Sequence, residues 1–161
     1  TPQDKEIAKL GVELNKTYLA YGVAGKASAS RQVAQDANVA ALAPTSGAVV
    51  QRSVAKASAN YQNSAWDLVD AAKERNFEIS KLKTEELPAA MQKMDSGERK
   101  AFIEKNAQER AELQAKINQL NREREQYIAQ RRKEATGTNT LDAAVISAVR
   151  EQSAKRNFKF E

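Results

Sequence analysis

At 161 residues, with 26 Lys and Arg against 21 Asp and Glu, the chain carries a net charge of +5 and is long enough for one domain, or one domain plus a fragment. The absence of Cys and His removes disulfides, thiol nucleophiles, imidazole bases and ordinary zinc sites from consideration. With 29 Ala, six Gly and three Pro, the composition favours closely packed helices and is too poor in turn formers for an all-β fold.

In chain order, Ile7, Leu10 and Leu14 recur at helical spacing, with Asn15 as a left-handed stop. Thr17-Tyr18-Leu19-Ala20-Tyr21 then reads as a short strand ended by Gly22 and Gly25. A weakly amphipathic, Ala-rich helix is expected over 28–42, and "APTSG" at 43–47 breaks it. From Ala48 to Ala72 the apolar positions follow steps of four and three. They predict one helix over 48–75, kinked near Asn60 to Ser64, or else divided there with Asn63 or Ser64 capping a second helix. "NFEIS" at 76–80 reads as extended, and "TEELPAAMQKM" as a short helix with Thr84 or Leu87 at its cap and Pro88 in its first turn.

Asp95-Ser96-Gly97-Glu98 has the spacing of a capping box, and no Gly or Pro follows before Gly137. A helix over 96–135 would be ~60 Å long at 1.5 Å per residue, against a radius of gyration near ~15 Å for a compact chain of this size. An elongated molecule is therefore expected. The long helix carries a heptad seam, with Asn106, Leu113, Leu120 and Tyr127 at one core position and Ile103, Arg110, Ile117, Arg124 and Arg131 at the other. Arginine at core positions suits a tight self-dimerising zipper poorly, because each must be paired or reach outward. The seam is expected to pack antiparallel along helix 48–75, burying Leu113, Ile117 and Leu120. After "TGTN" at 136–139, a last helix over 140–156 bears Leu141, Val145, Ile146 and Val149. It ends in "AKRNFKFE", which echoes "AKERNFEIS". The fold class is thus mainly α: an elongated helical bundle with a long antiparallel coiled-coil-like hairpin, and two or three short strands pairing at one end.

Tests for chemistry return little. "YGVAGKAS" departs from a phosphate-binding loop at Ala20 and Ala27, where a first Gly and a magnesium-binding hydroxyl belong. Ser53 and Lys56 have the spacing of a Ser-x-x-Lys pair without the companion motifs of that enzyme class. Asp67 and Asp70 could bind a cation or do acid–base work, but a solvated helix face is the simpler expectation. No catalytic, cofactor-binding or metal-binding residue is assigned, and no cofactor is expected. Trp66, Tyr61, Leu113, Ile117, Leu120 and Tyr127 remain as core anchors or partner-binding residues, with a protein as the partner. Acidic and basic side chains alternate along the long helix, so no nucleic-acid partner is expected. No apolar run approaches the ~18 residues that suggest a membrane span.

"EIAKLGVELNKTYLAYG" resembles the closing helix and edge strand of a von Willebrand factor type A domain. Ile7, Leu10, Glu13 and Tyr18 occupy comparable places, whereas Gly11 replaces the usual Ala and Asn15-Lys16 the usual Gly-Gly. "QVAQDANVAAL", "YQNSAWDLVDA", "EELPAAMQKMDSGERKAFI" and "TLDAAVISAVREQ" resemble the region that follows such a domain in a group of bacterial exported proteins. The resemblance implies that residues 1–22 close an upstream domain and that 23–161 form a helical C-terminal region. The family's metal-binding motif, Asp-x-Ser-x-Ser, would lie upstream. It further implies a periplasmic or otherwise exported, non-catalytic scaffold or interaction module. A self-associating coiled-coil adaptor is the alternative, followed by an enzyme working with carboxylates alone and a nucleic-acid scaffold.

Overall fold

The structure, a computed structural model, describes residues 1–42, 47–135 and 141–155. It is mainly helical, with α1 over Asp4–Asn15, α2 over Gly25–Leu42, α3 over Ala48–Lys56 and α4 over Leu68–Ala71. The 40-residue α5 spans Ser96–Ala135, and α6 spans Leu141–Lys155. Residues 43–46 of the break expected at 43–47, the "TGTN" connection at 136–139 and the "NFKF" end lie outside the described residues. Pro2–Glu123 pack as one unit, and the described residues from Arg124 onward belong to a second.

The capping box at the head of α5 forms as its spacing predicts. Asp95 Oδ1 accepts from the Glu98 N–H at 2.9 Å, and Glu98 Oε2 accepts from the Asp95 N–H at 2.8 Å. Two orphan donors are thereby satisfied, and the helix gains a defined start.

The single helix expected over 48–75 does not exist. α3 stops at Lys56, and a loop with turns at 57–60 and 64–66 precedes the four-residue α4. Asn60, Asn63 and Ser64 compete for backbone hydrogen bonds and disfavour a helix interior. Carbonyls at the end of α3 are taken up from outside, since Gln114 Nε2 donates to Lys56 O at 3.5 Å and Asn118 Nδ2 donates to Ala57 O at 3.2 Å. Asp67, rather than Asn63 or Ser64, caps α4: its backbone is extended and its side chain accepts from the Asp70 N–H. The long antiparallel partner expected for α5 is accordingly absent.

The expected strand over 17–21 is reduced to one antiparallel bridge, between Ala20 and Asp67. The Leu68 N–H donates to Leu19 O and the Tyr21 N–H to Trp66 O, each at 2.9 Å. Pairing stops there because α4 begins at Leu68, and a helical backbone cannot continue the ladder. Asn15 stays within α1, and the chain leaves through Lys16 in a right-handed conformation. "NFEIS" and "TEELPAAMQKM" form short 3-10 turns over Ile79–Lys81, Thr84–Glu86 and Ala89–Met91 in place of an extended segment and a helix.

Two apolar clusters hold the first unit together. Leu19, Leu68, Val69, Ile79, Leu87, Met91 and Ile103 form one. Ile7, Leu10, Leu14, Val50, Ala57 and Ile117 form the other, with Leu113 and Leu120 half-buried against it. α1 therefore contributes three of its apolar side chains to a core shared with α3 and α5. Gly11 lets α1 approach α3 closely, since a Cβ there would stand 2.1 Å from Ser53 Oγ.

Candidate functional site

Ile103 and Ile117 on α5 belong to different apolar clusters, and Arg110 lies midway between them in sequence. It is only 2% exposed, so its charge must be matched within the protein. All five guanidinium N–H donors find acceptors. NH1 donates to Asp67 Oδ2 at 2.6 Å and to Asp70 Oδ1 at 3.2 Å. NH2 donates to Asp67 Oδ1 at 3.1 Å and Thr17 O at 2.7 Å, and Nε donates to Thr17 Oγ1 at 3.0 Å.

The two carboxylates are equally committed. Asp67 also accepts from the Leu19 and Asp70 N–H groups, and Asp70 from the Asn63 N–H and Lys73 Nζ. Both are buried, at 0% and 5% exposure, which corrects the expectation of a solvated face. The guanidinium carbon lies 4.2 Å from the Tyr18 ring centroid, and Tyr18 stacks on Trp66 at 5.6 Å. Burial pushes the Tyr18 phenol well above its ordinary range, and the nearby Arg110 charge offsets only part of this.

A second polar node joins α1, α2 and α3. Lys56, 2% exposed, donates to Asp36 Oδ2 and to Asn15 Oδ1. Asp36 also accepts from Arg52 Nε and Asn15 Nδ2, both at 2.7 Å. Burial would raise the Asp36 carboxyl, but the hydrogen bonds from Lys56, Asn15 and Arg52 outweigh it and hold the group below its ordinary value. Burial lowers the Lys56 ammonium, with Asp36 opposing.

A depressed carboxyl contributes stability that is present above its unfolded value of 3.8 and is lost as pH falls through the folded one. The stability difference between the wild type and Asp36→Asn is therefore expected to be largest near neutral pH and to shrink below pH 3.8. Urea unfolding midpoints measured across that range check this. A difference independent of pH would contradict the assigned role.

The Ser53 hydroxyl donates to Val49 O, and Lys56 is held by Asp36 and Asn15, so the Ser-x-x-Lys spacing does not form a hydrogen-bonded nucleophile pair. In "YGVAGKAS", Gly22 adopts φ 72°, and the Gly25 N–H donates to Gly22 O at 3.1 Å. That amide is thus spent within the turn. Among the described residues, no group of three or more acidic side chains is placed to hold a metal ion.

Of the residues singled out from sequence, Ile117 is fully buried and Leu113 and Leu120 flank it. Tyr61 and Trp66 come together on one hollow beside α2, both half-buried and outside the apolar clusters. Tyr127 belongs to the other unit, where its hydroxyl accepts from Arg131 Nε at 3.2 Å. Sequence reasoning passed over Thr17 and Asp36 as site residues, read Lys56 only for its spacing from Ser53, and did not pair Arg110 with Asp67 and Asp70. The available signals were an arginine at a heptad core position and two aspartates three apart. No protein-family model, curated protein or solved structure matches the chain.

Proposed function

We propose that the chain is a non-catalytic helical scaffold and protein-interaction module, attached to an adhesion-type domain of the von Willebrand factor type A family in an exported bacterial protein. The observation that carries this reading is the double position of α1. Its sequence resembles that of a domain-closing helix, and Ile7, Leu10 and Leu14 lie in the core shared with α3 and α5. A helix shared with an upstream body would couple the two, so that α5 acts as an arm positioning the upstream domain. The concentrated ionisable groups fit the non-catalytic part, because Arg110, Asp67 and Asp70 saturate one another. The test is the natural protein upstream of Thr1. The expected result is an Asp-x-Ser-x-Ser motif and magnesium binding by the longer chain. An upstream stretch lacking both overturns the reading.

A second reading, a self-associating adaptor, is favoured by Val145, Ile146 and Val149 on one face of α6, exposed by 53%, 53% and 49%. Sedimentation equilibrium separates the two. A mass holding at 17.7 kDa over a hundredfold concentration range is expected for the scaffold, and a rising mass for the adaptor.

A further inference from the structure

We propose that α2 is a strap: it opens as a unit from the body formed by α1, α3 and α5, pivoting at the Gly22–Gly25 turn and uncovering Lys56, while that body stays folded. This adds a second conformational state and does not depend on the interaction-module reading.

α2 is held to the body mainly by polar side chains. Among the described residues, none of its side chains belongs to either apolar cluster or packs against one. Gly25 and Gln32 are buried, and its other described side chains are half-buried or exposed. The attachments come from one short stretch. Gln32 donates to Asn15 Oδ1 at 3.3 Å and accepts from the Tyr61 hydroxyl at 3.2 Å. Gln35 Oε1 accepts from Arg52 NH2 at 3.0 Å, and Asp36 holds Arg52, Asn15 and Lys56 together. The apolar side of the helix is left unfilled. Val33, Ala37 and Ala40 line a hollow of about 300 Å³ together with Ala8 and Val12 of α1. Val33 and Val12 stay 58% and 59% exposed, whereas a helix integral to a core closes such a space.

These contacts make opening cheap. The bonds at Gln32, Gln35 and Asp36 are exchanged for bonds to water, so each contributes modestly in net terms. The Arg52 and Asp36 side chains are already 23% and 21% exposed, which screens their attraction. Lys56 regains the hydration it lacks at 2% exposure, and this offsets part of the lost attraction to Asp36. Parting α1 from α3 and α5 would instead expose Ile7, Leu14 and Ile117, each fully buried. The opening of α2 thus lies below global unfolding. Its pivot is fixed to the body, since the Gly22 N–H donates to Glu86 O at 2.9 Å, and Gly22 has a φ of 72° that favours glycine.

Hydrogen exchange of the full chain, read residue by residue by NMR, tests the strap. The amides of 29–39 are expected to exchange together, with protection about a hundredfold below that of Ile7–Leu14 and Ile103–Ile117 and one shared, shallow dependence on urea. Asp36→Lys sets a further cation beside Lys56 and Arg52. It should lower the protection of α2 by a further factor of about ten while Ile7–Leu14 and Ile103–Ile117 stay protected. Protection of α2 equal to that of α1 and α5 overturns the proposal, and so does protection graded from the helix ends inward, which marks simple fraying. An Asp36→Lys chain in which α2 keeps its protection, or in which α1 and α5 lose theirs with it, overturns the proposal as well.

Discussion

Replacing Arg110 with methionine is expected to destabilise the protein by about 3–5 kcal/mol, the cost of breaking a buried ion pair by removing one partner. The size follows from what is left behind. Asp67 and Asp70 would keep their places at 0% and 5% exposure with the guanidinium gone, and Thr17 would lose two donors. Arg110→Lys should recover only part of the loss, because an ammonium cannot reproduce the planar fork that meets both Asp67 oxygens. The triple change of Arg110→Met, Asp67→Asn and Asp70→Asn separates the explanations. With the charges removed together, the protein should regain stability relative to Arg110→Met alone. Urea unfolding of the four proteins measures this. A loss for Arg110→Met well under 1 kcal/mol, the range of exposed pairs, would show that the node is not buried as described.

Gly11→Ala is expected to cost about 1–3 kcal/mol, the usual penalty for forcing atoms into a filled space. The added Cβ would lie 2.1 Å from Ser53 Oγ and 2.8 Å from Ser53 Cβ, so α1 and α3 must separate or Ser53 must move. An alanine in a helix would otherwise stabilise by up to about 1 kcal/mol, which makes the sign of the effect informative. The rescue is specific. Ser53→Ala should restore little, because its Cβ still clashes, whereas Ser53→Gly leaves the nearest Ser53 atom at the Cα, 3.6 Å away. Thermal unfolding of the two double variants checks the order. If Gly11→Ala proves stabilising by itself, the close approach of α1 and α3 is wrong.

The long elements were legible and the short ones were not, for physical reasons. α5 announces itself by an uninterrupted run of helix formers and a capping box, both local signals. α1 and α6 follow from apolar spacing. The division of 48–75 hid because the apolar steps continue through Tyr61, Ala65 and Leu68, while the residues that end α3 are weak helix formers. Two of the groups that donate to its unpaired carbonyls, Gln114 and Asn118, lie some 60 residues away. The strand at 17–21 failed for a related reason, since its partner is the cap residue Asp67 and, among the described residues, no second strand stands beside it.

The polar nodes were visible only in fragments. Arg110 at a core position demanded a partner, but nothing local says that Asp67 and Asp70, 43 and 40 residues away, supply it. Asp36 and Lys56 sit on helices whose charges look surface-bound when each is read alone.

Arg110 also fixes α5 lengthwise. Apolar side chains pack almost equally well against any apolar neighbour, so a seam of isoleucines alone could slide by one heptad, about 10.5 Å, at modest cost. Here such a slip would carry Arg110 into an apolar cluster and set an isoleucine against two bare carboxylates. The helix is keyed to its seat like a shaft with a single tooth, and within the first unit there is one axial position at which it fits.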